Sequence, residues 1–255
     1  MEYMDILSVL FRWVHIISGI LWIGLLYWFN MVNIPFTPTM DGDTKKKVVP
    51  ELLPRALYFF RWSSLWTWTT GFLLLLLVFY QGGLMFEEGM GGWGVKSYVM
   101  IAVVFLMFPL YDMLAGSGLG KNIRSFGVVG FLLIALVTYL MMHWAEFSYR
   151  AYNIHIGVMF GTIMFANVWM RIWPVQRKVI PAIKTGAAPD AALVATAGQR
   201  SRHNVYLSVP LVWAMINSHT VVPGASSWFW LLGVTVVGWL AISLVYDKSL
   251  KVKGM

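Results

Sequence analysis

Cysteine is absent from the 255 residues. That removes covalent c-type haem, cysteine-ligated iron–sulfur clusters, thiolate copper and disulfides together. Histidine is left as the main borderline metal ligand, with methionine as a softer one. Charge is also scarce, since 12% of residues are charged and 59% are hydrophobic, against roughly 25% charged in a soluble domain. This composition predicts an integral membrane protein. Acid is scarcer than base, 11 against 19, for a net charge of +8. Such an excess raises the question of nucleic acid, but the basic residues sit almost entirely in alternate loops, so no nucleic-acid partner is expected.

Crossing a hydrocarbon layer of about 30 Å takes about 20 helical residues. Seven apolar runs meet that length: Ile6 to Val32, Tyr58 to Tyr80, Tyr98 to Ala115, Ser125 to Ala145, Ala151 to Trp173, Asn204 to Val221 and Trp228 to Val245. The fold expected is therefore an all-α integral membrane protein, a bundle of seven transmembrane helices forming a single membrane domain over residues 1–255. The first run has no small-residue cleavage site and is too long for a signal-peptide core, so it reads as a retained helix. With seven helices, Arg12, Lys96 and Arg150 fall on one side and the other sixteen Lys and Arg on the opposite side. By the positive-inside rule the N-terminus is outside and the C-terminus cytoplasmic.

The connections are uneven. Pro35, Pro38, Asp41, Gly42, the triplet Lys45–Lys47, Pro50 and Pro54 read as a cytoplasmic loop lying on anionic lipid. The outer stretch Gln81 to Gly94 is rich in glycine and reads as a mobile cover. In the stretch Pro174 to Arg202 a short cytoplasmic helix capped near Asp190 is expected. Most tryptophans fall near helix ends, as in an interfacial aromatic belt, and the sixteen methionines read as packing residues.

Four of the five histidines, His15, His143, His155 and His219, lie in apolar helices on the outer side. His15 falls roughly 13 Å inside the outer boundary and His155 about 6 Å, at 1.5 Å per residue; His143 and His219 are shallower. Deep ionisable groups face a protein interior, a cavity or a partner, and neutral imidazole is the usual axial ligand of b-type haem. A bis-histidine haem needs two imidazoles on different helices at matching depth, and the chain offers that twice, for one or two haems. The plainer reading of each is a histidine bonded to a neighbouring helix, while His203, beside Arg200 and Arg202 at the cytoplasmic start of the sixth run, reads as an interfacial or helix-start residue. Gly19 and Gly161 remove bulk near His15 and His155, so that a porphyrin or a helix can approach. Arg12, Lys96, Arg150 and Asn153 are the candidates for orienting an anionic substrate or haem propionates.

Several segments match a known pattern: Arg12-Trp13-Val14-His15 through Gly19 with Trp22-Ile23-Gly24, Leu53-Pro54-Arg55-Ala56-Leu57-Tyr58 with Arg61-Trp62 and Gly71, His155 with Gly161-Thr162-Ile163-Met164 and Asn167-Val168, and Ser201-Arg202-His203-Asn204 with Tyr206-Leu207-Ser208, Pro210, Met215 and His219. In these the chain resembles the membrane domain of the bacterial membrane-bound, cytochrome c-linked urate hydroxylases. The resemblance implies oxidation of urate to 5-hydroxyisourate, with electrons passed to cytochrome c. It also places His15, His155, His203 and His219 in family-like motifs. The family's eighth helix and C-x-x-C-H module have no counterpart in these residues, so a separate cytochrome c is the expected partner.

The leading expectation is a b-type haem oxidoreductase of the bacterial inner membrane, urate hydroxylase-like, acting on a purine-like small molecule. A non-catalytic cytochrome b, exchanging electrons with quinone among respiratory-complex subunits, is the alternative. Copper or small-solute transport through the histidines and Met100, Met107, Met159 or Met164 ranks third.

Overall fold

A computed structural model of the chain describes residues 2–218 and 227–252. Among the described residues the regular structure is all helical, as a chain whose backbone must satisfy itself inside lipid requires. We number the long helices α1 (Glu2–Trp28), α2 (Gly42–Leu74), α3 (Val95–Gly116), α4 (Ile123–His143), α5 (Tyr149–Ala166), α6 (Trp173–Thr185), α7 (Ala191–Asn217) and α8 (Trp228–Ser249). Three π-helical stretches, Phe29–Asn33, Leu75–Tyr80 and Asn167–Ile172, extend α1, α2 and α5.

Six helical spans among the described residues are long and apolar enough to cross a membrane: Tyr3–Thr39, Gly42–Tyr80, Val95–Gly116, Ile123–His143, Tyr149–Thr185 and Trp228–Ser249. The protein is a multi-pass membrane protein. α7 overlaps the run expected from Asn204 to Val221, but it carries Arg200, Arg202, His203 and Asn204 in its middle, so it lacks the unbroken apolarity of the others. The spans differ in burial. Of the most apolar stretch of Tyr149–Thr185, 61% is buried, against 6% for Tyr3–Thr39, so α1 is mostly uncovered and α5 mostly covered by protein.

Local chemistry explains the helix starts, including two the hydropathy pattern misplaces. α2 begins at Gly42, sixteen residues before the apolar run at Tyr58. Asp41 caps it, accepting from the backbone N–H groups of Asp43 and Thr44 and from the Thr44 hydroxyl. Those bonds, the Thr44 N–H first, hold the Asp41 carboxyl below the usual carboxylate range. Pro50 and Pro54, read as loop residues, lie within this helix. The helix expected near Asp190 is present, with Asp190 accepting from the N–H groups of Ala192 and Leu193. It does not stop, however, and is the first part of α7. Gly186 ends α6 in the left-handed conformation, φ 78°, which favours glycine.

The chain divides into two compact units, Met1–Gly71 with Met164–Leu207 and Leu240–Met255, and Phe72–Ile163 with Ser208–Trp239. In the first, Val175 and Val179 of α6 pack with Ala197 of α7. In the second, Gly157 of α5 meets α7 so closely that a Cβ there would lie 2.9 Å from the Ala214 Cβ. The glycine-rich segment after Tyr80 is tied down in this unit: Ser148 donates through Oγ to Leu84 and through its N–H to Met85, and Met85 is buried. Gly91, at φ 69°, has no room for a Cβ against the Glu146 carbonyl.

Candidate functional site

In the second unit the site is built around His155, which is fully buried on α5. Its Nδ1 lies 2.7 Å from the Ala151 carbonyl oxygen one turn earlier. A carbonyl only accepts, so Nδ1 carries the proton and Nε2 the lone pair. That lone pair accepts from the Tyr80 hydroxyl at 3.0 Å. Tyr80 stands at the end of a π-helical stretch, a distortion that recurs at functional positions. Its ring lies over His155 at 5.7 Å and 25°, Phe147 closes another side at 5.3 Å, and Trp93 meets Tyr80 edge-on at 5.6 Å. Phe86 links Trp93 to Phe147. The glycine-rich segment thus contributes Phe86 and Trp93 to an aromatic wall around the imidazole. Asn153, two residues before His155, is buried and donates from Nδ2 to the Ala214 carbonyl at 2.9 Å. Its Oδ1 is buried with no partner among the described residues, an acceptor left without a donor.

In the first unit His15 shows the same tautomer in a more open setting. Nδ1 donates to the Thr67 carbonyl at 2.8 Å and lies 3.3 Å from the Thr70 hydroxyl. Thr70 itself donates to the Trp66 carbonyl at 2.6 Å. His15 is half-buried, and no hydrogen bond engages its Nε2 among the described residues. Gly71 makes room for the ring, because a Cβ there would lie 2.8 Å from His15 Cε1. The glycines singled out from the sequence have a different role. A Cβ on Gly19 would meet only Thr67 at 3.7 Å, and one on Gly161 only Leu211 at 3.8 Å, both ordinary contacts between helices.

The remaining predicted residues are dispersed. His143 is exposed at the end of α4, against Tyr139 at 4.6 Å. His219 lies outside the described residues. Arg12 and Lys96 are exposed, and Arg150 is half-buried. His203, read as interfacial, is 4% exposed.

A second polar region in the first unit was not anticipated as a structure, although Met164, Asn167, Ser201, Arg202, Asn204 and Tyr206 in it belong to the matching motifs. Asn30, in the π-helical stretch after α1, donates from Nδ2 to the Leu26 carbonyl and to Ser201 Oγ, both at 2.8 Å. Its Oδ1 accepts from the Tyr246 hydroxyl at 2.6 Å. The Arg202 guanidinium covers the stacked rings of Tyr206 and Tyr246. Asn167, first residue of another π-helical stretch, donates to Asn204 Oδ1 at 2.8 Å, and Asn204 donates to the Met164 carbonyl at 3.0 Å. Each π-helical stretch therefore carries one side chain of a buried polar cluster.

Nδ1–H donation to a backbone carbonyl is the arrangement that fixes a histidine for Nε2 ligation. The donor chemistry at His15 and His155 thus fits an axial ligand of haem. At His15 the Nε2 position is open; at His155 the Tyr80 phenol has to move aside first. Groups of three or more His, Cys, Asp or Glu suited to a metal ion do not occur among the described residues.

Comparison with curated proteins and with solved structures returns no match. The family model described as urate oxidase N-terminal matches residues 40–249, and with more than four-fifths of its length covered the chain belongs to that family.

Proposed function

We propose that the protein is a urate hydroxylase-like oxidoreductase of a bacterial inner membrane, with seven spans, the N-terminus outside and the C-terminus cytoplasmic. It oxidises a purine-like substrate, holds b-type haem through histidine, and gives electrons to a cytochrome c. The observation that carries this is the shared tautomer of His15 and His155, in a chain of the urate oxidase N-terminal family. When bound, haem supplies one-electron transfer between substrate and acceptor. His15 and His155 would hold it through Nε2, their protons fixed on Nδ1 by the Thr67 and Ala151 carbonyls. Tyr80 donates its hydroxyl proton to the His155 lone pair in the haem-free protein and would have to release it for His155 to hold the group. Asn153 Oδ1 accepts an N–H of the substrate, which is the partner it lacks, and the aromatic wall of Phe86, Trp93 and Phe147 excludes water. Arg12 and Arg150 neutralise anionic groups on substrate or haem.

The test is anaerobic mixing of haem-loaded protein with urate in the presence of soluble cytochrome c. Urate is expected to reduce the haem and then the cytochrome, and Asn153→Ala is expected to keep its haem but lose reduction at least tenfold. Haem that is reduced by quinol and not by urate contradicts the reading and assigns an electron-transfer subunit instead.

A further inference from the structure

Arg61 of α2 is unused by either histidine site, and its surroundings define a site of their own. The guanidinium carbon lies 4.1 Å from the Trp173 ring centroid, 5.2 Å from Trp169 and 5.6 Å from Trp62. Trp169 is fixed in turn by its indole N–H donating to Ser64 Oγ. Indoles attract a cation through their π faces, but they take no hydrogen bond in the guanidinium plane, where all five N–H donors point. One of those donors is already stranded, because Arg61 Nε is buried and has no acceptor among the described residues. The ion pairs seen among the described residues are Lys46 with Asp43 and Arg55 with Glu51, and neither involves Arg61. Arg61 is half-buried, and a partly desolvated charge is stabilised by an anion as well as by aromatic cover.

The position of Arg61 indicates which anion. It lies one turn inside the end of its apolar run, with Arg55 and the lysines 45–47 before it on the same helix. Tyr58, Phe59, Trp62 and Trp66 around it are 53%, 55%, 38% and 55% exposed. Exposed aromatics at the end of a membrane helix sit at headgroup level, where the phosphate of a lipid is the anion at hand. Arg177 and Lys178 follow Trp173 on α6, both exposed, and add attraction for a negatively charged leaflet.

We infer that Arg61, framed by Trp62, Trp169 and Trp173, is a binding site for the headgroup phosphate of an anionic phospholipid. The indoles hold the guanidinium flat, and its in-plane N–H groups donate to two phosphate oxygens, a geometry that a lysine ammonium does not reproduce.

The experiment uses the full chain, purified and stripped of lipid, with phosphatidylglycerol, phosphatidylcholine or inorganic phosphate added back. Native mass spectrometry reads bound lipid and thermal unfolding reads stabilisation. Wild type is expected to retain phosphatidylglycerol at least tenfold better than phosphatidylcholine and to be stabilised by it. Arg61→Gln is expected to lose that preference and Arg61→Lys most of it, while Arg124→Gln, at an exposed position of α4, leaves it unaltered. Should Arg61→Gln fail to fold, Arg61→Lys and the wild-type preference decide. Wild type without a preference for the anionic lipid, or Arg61 variants that keep it, would overturn the site. Stabilisation by inorganic phosphate but not by phosphatidylglycerol would overturn the lipid assignment.

Discussion

His15 and His155 hold their protons in the same place and their lone pairs in different ones. Each donates from Nδ1 to a backbone carbonyl. The carbonyl for His155 comes from its own helix, whereas that for His15 comes from another helix, α2. At the far nitrogen, His155 is capped by Tyr80 within aromatic rings, while His15 is half-buried and open. One imidazole is thus part of the packing of its unit and the other is presented by it. The lesson is that depth in the membrane, which the sequence approximates, does not measure availability, which depends on the second nitrogen.

Removing the two side chains should separate them most clearly. His155→Ala is expected to destabilise the protein by roughly 2–5 kcal/mol, since it opens a cavity in a filled core and strands the Tyr80 hydroxyl. His15→Ala is expected to cost about 1 kcal/mol, the worth of one ordinary hydrogen bond. Unfolding in mixed micelles measures both, and equal costs would break the distinction.

Next in size is the cap. Tyr80→Phe leaves Nε2 of His155 buried without a donor and is expected to cost about 1–3 kcal/mol in haem-free protein. If Tyr80 only holds the place of a ligand, the same change should leave haem affinity unchanged or raise it. A fall in haem affinity would make the phenol part of the bound site. On the other side, Thr70→Val is expected to stay within about 0.5 kcal/mol, because the Thr67 carbonyl still orients His15.

The last contrast is read locally, in the ring and not in stability, and belongs to the glycines. Gly71→Ala should push the His15 ring off the Thr67 carbonyl, since its Cβ would overlap Cε1, while Gly19→Ala has room. The imidazole nitrogen resonances of His15 should shift in the first variant and stay in place in the second.

The contrast also marks what was legible in the sequence. Six of the apolar runs coincide with spans because burial in lipid demands sustained apolarity, while the run from Asn204 to Val221 ends outside the described residues and its helix α7 begins in the polar stretch before it. The start of α2 was hidden because Pro50 and Pro54 suggest a loop, yet the Asp41 cap and the preceding turn carry the helix through them. Asp190 was readable as a cap because that signal is local. Tyr80 was not, since a tyrosine at the end of an apolar run reads as interfacial, and only the π-helical turn brings its hydroxyl to His155. Gly71 was visible within a matching motif, but its purpose depends on a ring 56 positions away in sequence. The bonds that Asn30, Asn167 and Asn204 make across helices required coordinates, because an amide's partner is set by packing and not by its neighbours in sequence.

The proposed function requires Nε2 of His15 and Nε2 of His155 as ligands of haem iron. Its most direct test is the haem content and optical spectrum, per chain, of wild type, His15→Ala and His155→Ala purified side by side. The account predicts a six-coordinate, low-spin spectrum in wild type, and loss of haem or of one axial ligand in each variant. Full haem content with an unaltered spectrum in both variants would contradict it.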